Sequence, residues 1–233
     1  MITCAIQTRI FIKFYKINCH FINIKMQSQA HKDRIEKILN FWLGASDQRN
    51  LPPTPDLMKK WFSFSVELDE EIKKNFGDDL EKLATGEYDD WKNNRDGKIA
   101  AVILADQFSR NIFRKQKEAF AYDSIALNIV EKFSEEEFLS AKLREQMFLV
   151  LPFEHSENLD HQIRCLTLCN RFLENPDQSE YSLKVLCMMK EYAEKHYKII
   201  EKFGRFPHRN EVFGRESTEE EVEYLKSAQR FGQ

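Results

Sequence analysis

Apolar residues recur at three- and four-residue spacing through nearly all of the chain after Asp33, and no stretch alternates apolar with polar residues as a half-buried strand does. Ile35, Ile38, Leu39 and Trp42 mark a first helix that Gly44 ends. The stretch Asn50-Leu-Pro-Pro-Thr-Pro55 reads as a loop. A helix is expected from about Asp56 to Phe76, with Leu57, Trp61, Phe64 and Leu68 on one face, and a short one over 78–86, closed by Gly86. Lys98 to Asn111 forms the next, and its first part, Ile99 to Ala105, is apolar on every side, which places it at the centre. Further helices are expected near 117–133, 135–150, 157–174, 179–203 and 217–230. Ser134 with Glu137, and Ser217 with Glu220, have capping-box spacing and support two of those starts. No 34-residue tetratricopeptide signature repeats, and no low-complexity linker divides residues 33–233. The pattern therefore predicts one all-α domain over 33–233, preceded by an N-terminal extension over 1–32.

Composition agrees with a globular helical protein. The chain has 233 residues, 42% hydrophobic and 31% charged, enough to bury a core without disulfide or metal. Seven Gly and six Pro are few for the tight turns of a sheet protein. Net charge is −3, but residues 1–32 carry +5 (Arg9, Lys13, Lys16, Lys25, Lys32 and no acid), which leaves 30 basic against 38 acidic residues, or −8, in the remainder. Such a body is a poor binder of nucleic acid, which needs clustered cations against phosphate. The longest apolar runs of the first segment, Ile10-Phe11-Ile12 and Phe21-Ile22, are far short of a membrane span. Lack of acids there fits a mitochondrial transit peptide, whereas a single Arg and few Ser do not. Translation from Met26 and a genuine structural element are the other two readings. Residues 1–30 show no consistent amphipathic face and are expected to pack against nothing. The five cysteines (Cys4, Cys19, Cys165, Cys169, Cys187) are odd in number and form no C-x2-C pair, so neither a disulfide framework nor a zinc site is expected. The expected compartment is the cytoplasm, with the mitochondrion as alternative if residues 1–25 are a transit peptide.

Three stretches carry polar residues where apolar ones are expected. On the central helix, Ile99, Val102 and Ile103 mark the inward face, and continuing by threes and fours gives Asp106, Arg110 and Arg114, while Gln107 and Asn111 form a second i,i+4 pair. Buried charge is costly unless paired or used, so this stripe is either a structural ion pair or part of a pocket. The second stretch is Leu151-Pro-Phe-Glu-His-Ser-Glu157. Pro152 should end a helix and Ser156 cap the next, which sets His155 and Glu157 at a helix N-terminus as acid/base or binding groups, or as incidental neighbours of a cap. The third is Phe203-Gly-Arg-Phe-Pro-His-Arg-Asn210 with Phe213-Gly-Arg215, in which Arg205, His208, Arg209, Asn210 and Arg215 either bind a carboxylate or phosphate or hydrogen-bond helix carbonyls. His161, Cys165 and Cys169 share a face, but these residue types commonly pack inward, and no metal is expected there. No Gly-rich phosphate loop, H-E-x-x-H motif or nucleophile elbow appears, and no cofactor is expected.

These three stretches, with Ile99-Ala-Ala-Val-Ile-Leu-Ala-Asp-Gln-Phe-Ser-Arg-Asn-Ile-Phe-Arg114 as the first block and Phe213-Gly-Arg-Glu-Ser-Thr-Glu219 closing the third, carry a resemblance. The chain resembles the uncharacterised, largely bacterial family called domain of unknown function 924, over roughly residues 35–231. It departs at Ser109, where family members usually have Pro, and at Phe213, where they usually have Leu; at His161 they vary. The resemblance implies a tetratricopeptide-like stack of antiparallel helix pairs and implies no chemistry. Three functions follow: a binding protein or enzyme for a small anionic molecule, held by the five arginines with His155, Glu157 and His208 as proton-transfer candidates; a protein–protein interaction module using a helical-repeat groove; or polar blocks that only knit the fold. The three blocks are expected to meet in one electropositive pocket, with Asp106 and Glu157 as the arginines' acceptors.

Overall fold

The computed structural model describes residues 28–176 and 178–227. Its first helix, α1, covers residues 28–43 and buries Ile35, Ile38, Leu39, Trp42 and Leu43, the periodic positions. The expected boundary at Asp33 falls inside this helix: His31 is buried edge-on to Tyr88 and 2.9 Å from Asp90. What was expected of residues 1–27 lies outside the described residues. Arg144 joins α1 to the loop that follows, donating to the carbonyls of Leu43 (2.8 Å) and Leu51 (2.9 Å), which satisfies acceptors that a helix end leaves open.

The next helix divides earlier than the periodicity suggests. It forms α2 (Pro55–Phe62) and α3 (Val66–Thr85), each started by a hydroxyl cap, Thr54 for α2 and Ser65 for α3. Ser65 competes for the backbone more strongly than Gly77 breaks it, so α3 runs through Gly77 to the left-handed Gly86 (φ 84°). Phe62 and Phe64 at the break are exposed rather than on a buried face.

A 3-10 turn over Asp89–Asn93 leads into the central helix. Asn94 caps it, accepting from Gly97 N–H at 2.7 Å. A Cβ at Gly97 would sit 2.3 Å from the Trp91 carbonyl, so only glycine permits that close packing. The helix is α-helical over Arg95–Val102 (α4), π-helical over Ile103–Phe108, and α-helical again over Ser109–Ile112 (α5). Ser109 N–H reaches back five residues to Leu104 O, which leaves the carbonyl of Ala105 without its usual partner. The Ser109 hydroxyl takes it, 2.6 Å away, with Ala119 O at 3.2 Å as the other acceptor in range. All residues from Ile99 to Ser109 are buried.

The remainder wraps this rod. The expected helix at 117–133 is a 3-10 turn, Lys117–Phe120, followed by α6 (Asp123–Val130). The one at 135–150 breaks into α7 (Glu135–Leu139), which has the Ser134–Glu137 capping box, and α8 (Leu143–Leu149). A short α9 (Leu151–Glu154) includes Pro152 in its first turn, where a proline costs nothing. The next helix, α10 (Leu159–Leu173), is capped by Asn158 and not Ser156. It packs against α11 (Glu180–Phe203). The last helix, α12 (Glu219–Leu225), starts one residue later than expected, with the capping box made by Thr218 and Glu221. The described residues contain no strand, and none of their helices is long and apolar enough to cross a membrane. Ser109→Ala strands the buried Ala105 carbonyl, so denaturant unfolding should show a loss of about 1–3 kcal/mol; an unchanged midpoint would mean that the π-helical turn needs no hydroxyl.

Candidate functional site

The π-helical turn sets the geometry of the site. Asp106 and Gln107 lie within it, both buried. Asp106, 1% exposed, accepts from Gln107 Nε2 at 2.5 Å, stands 2.7 Å from His155 Nδ1 and pairs with Arg110 at 3.3 Å. Burial pushes its carboxyl up, but the Arg110 charge and the hydrogen bonds from His155 and Gln107 outweigh that and hold it well below the usual carboxylate range. Arg110 pairs again with Asp123 at the start of α6, at 2.9 Å. One turn on, Arg114 (2.6 Å) and Asn111 (2.8 Å) both donate to Asp69 on α3.

His155 lies at the end of α9 and not at a helix N-terminus. Asp106 fixes its Nδ1 as the donor, which leaves Nε2 as the acceptor. Burial and the nearby Arg110 keep the ring neutral against the pull of Asp106. Beside it, buried Glu154 reaches His196 of α11 at 3.2 Å, and the two histidine rings are 6.4 Å apart. Burial raises the Glu154 carboxyl well above its ordinary value and lowers His196 to about 3. His208 falls to about 4 through burial and the charge of Arg209.

Arg209 closes the arrangement. It is 5% exposed, donates to the His155 carbonyl at 2.9 Å, and lies between the rings of Phe120 (4.7 Å) and Phe206 (4.5 Å). No carboxylate among the described residues lies within ion-pair distance, and its Nε has no hydrogen-bond acceptor. Burial, then repulsion from Arg110, lowers its pKa to about 10.

A cavity of about 930 Å³ opens over this cluster. Members of all three polar blocks line it: Gln107, Arg110, Asn111 and Arg114; His155; His208 and Arg209. The other candidates do not. Glu157 accepts from Phe206 N–H (2.8 Å) and from both ends of the Arg215 guanidinium (2.7 and 2.9 Å), which keeps its carboxyl low despite burial. Arg205 is paired with Glu221 at 2.6 Å, and Asn210 donates to Ser217 and Glu221. These four bind the 203–215 loop to α10 and α12, so Glu157 is an anchor there and not an acid/base group facing the cavity. Asp69 and Asp123 were passed over because they fall inside the helices expected over 56–76 and 117–133, where a lone acid reads as part of a solvated face. Glu154, inside the second block, was passed over as well, and His196, on the buried face of α11, was considered only as a metal ligand with His155 and His208. Among the described residues no group of three or more His, Cys, Asp or Glu is arranged to hold a metal ion.

The family model described as bacterial protein of unknown function (DUF924) matches residues 38–229. The chain belongs to that family. A solved structure, a protein of unknown function from Agrobacterium tumefaciens, is similar to this DUF924 chain at 30% identity and a TM-score of 0.70, covering 84% of this chain and 99% of its own. No curated protein matches. Ser109 uses both its N–H, given to Leu104, and its hydroxyl, given to Ala105.

Asp106→Ala leaves Arg110 and His155 buried without their shared acceptor. It should cost roughly 3–5 kcal/mol in denaturant unfolding; a cost under about 1 kcal/mol would show the cluster to be solvated. His196 stays neutral in the folded chain down to about pH 3, but takes a proton near 6.5 when unfolded. Its contribution is therefore intact above pH 6.5 and is lost as the pH falls towards 3. Glu154 acts in the opposite sense, weakening the fold as the pH rises above its unfolded value. His196→Asn should thus make the stability lost between pH 7 and pH 5 smaller by about 2 kcal/mol. An unchanged pH slope would show that His196 titrates normally.

Proposed function

We propose that the chain binds a small anionic ligand in this cavity, with Arg209 as the principal anchor and Arg110 beside it. The observation that carries the reading is the state of Arg209. A guanidinium buried this deeply normally meets a carboxylate or phosphate. Arg209 meets a carbonyl and two aromatic faces, and repulsion from Arg110 adds to the cost of its charge. Arg110 and Arg114 have acceptors in Asp106, Asp123 and Asp69, so among the described arginines of the cavity Arg209 is the one without a carboxylate partner. An anion on its open side supplies the missing partner, and the exclusion of water strengthens the pairing.

His155 gives the pocket a proton acceptor next to that anion. Its Nδ1–H is held by a buried carboxylate, an arrangement that orients an imidazole and stabilises it on protonation. This supports acid/base chemistry on a bound anion as the enzymatic form of the reading, with no reaction assigned.

Arg209→Lys keeps a positive charge and loses the planar fork. Thermal melting of the full chain with inorganic phosphate, octanoate and octyl phosphate should show at least one anion raising the midpoint of the parent. The same anion should have an affinity at least tenfold weaker in Arg209→Lys, whose midpoint without ligand stays close to the parent's. Equal shifts in both proteins, or none in either, contradict the reading.

A further inference from the structure

The cavity is lined by apolar as well as polar side chains. Trp61, Met147, Val150 and Met189 line it and are all buried, and half-buried Met58 and Met188 line it too. Two chain segments run from apolar to polar lining residues. On α11, Met189 and His196 are seven residues, or two turns, apart on one face, with Tyr192 between them. From α8 into α9, Met147 stands seven residues before Glu154, with Val150 and Leu151 between, and Glu154 meets His196 at 3.2 Å. Both segments therefore change from thioether to buried acid or imidazole in the same direction, and their polar ends touch.

From this juxtaposition we infer that the ligand is an amphiphilic anion: a carboxylate or phosphate head at Arg209 carrying an unbranched apolar chain that lies along the methionine-lined part of the cavity. The inference rests on the anion reading above and names the class of molecule that satisfies both kinds of lining. Along α11 the two ends are about 10 Å apart at about 1.5 Å per residue. An extended zigzag chain advances about 1.25 Å per bond, so roughly eight or nine carbons span that distance. Methionine side chains are unbranched and polarizable and adapt to a flexible chain, whereas aromatic ligands favour rigid walls. The volume, about 930 Å³, is at the upper end for small-molecule sites and larger than a bare phosphate or acetate needs. The lining also includes exposed Lys59, Phe62, Phe64 and Lys115, two cations and two apolar rings.

The test is calorimetric titration of the full chain with butyrate, octanoate, octan-1-ol, inorganic phosphate and octyl phosphate. Octanoate should bind at least about thirty-fold more tightly than butyrate, since four added methylenes leave water. Octan-1-ol should bind at least tenfold more weakly than octanoate, and the comparison of octanoate with octyl phosphate identifies the head group. Met58→Gln and Met188→Gln place a neutral amide at half-buried positions among the apolar lining residues. Each should weaken octanoate at least tenfold and leave the small anions unchanged. Should either variant fail to fold, the chain-length series on the parent protein decides alone. Equal affinity for butyrate and octanoate, or octanoate binding unaffected by both substitutions, overturns the amphiphile and leaves the anion site standing. Equal affinity for octan-1-ol and octanoate, together with indifference to Arg209→Lys, overturns the anion site as well, and so does absence of binding by every probe.

Discussion

A carboxylate with 1% of its side chain exposed, Asp106, joins the parts of this protein that matter for its site. It accepts from the central helix through Gln107 and Arg110 and stands against His155 of the neighbouring segment. The His155 carbonyl in turn takes Arg209 from the 203–215 loop. Each link is short and shielded from water, so the three segments must arrive together or leave charges unpaired. The π-helical turn makes this arrangement available. One widened turn places Asp106 and Gln107 inside the protein without ending the helix, and the Ser109 hydroxyl satisfies the acceptor that the widening frees. Turns of this kind are concentrated at functional sites.

The site then divides its charges unevenly. Arg110 and Arg114 are matched by carboxylates from α6 and α3, and Arg205 and Arg215 by Glu221 and Glu157. Arg209, buried as deeply as any of them, is matched by none among the described residues. Since the same loop is pinned by Glu157 and Glu221, its arginines fall into two groups: those that hold the loop, and the one the loop holds over the cavity. Neutral His155, His196 and His208, lowered by burial and by Arg209, leave that excess charge without competitors.

How much of this was legible in the sequence depended on whether a signal was local. Periodicity placed the helices and the central rod because burial of Ile99 to Ala105 leaves no polar face to misread. Caps marked most starts, but Ser63 to Ser65 outweighed an unbroken apolar stripe, and Thr218 outcompeted Ser217 as a cap by one residue. The three polar blocks stood out because charged residues continued a buried face, and the structure brings a member of each to one cavity. What was not legible was which arginine faced a carboxylate. Asp69 and Asp123 lie 45 and 13 residues from the arginines they pair with, and Glu157 lies 58 from Arg215, so only the tertiary fold assigns the partners. The apolar lining of the cavity was equally hidden: Met147 and Met189 read as ordinary core.

The account rests on Arg209 holding an anion, and native mass spectrometry of the full chain as purified, with chemical identification of what dissociates, examines that most directly. The account predicts an acidic, chain-bearing small molecule on the parent protein and its loss from Arg209→Leu at unchanged helical content. A parent protein that carries no such molecule and takes up none from an added mixture of acyl and phosphate anions would contradict it.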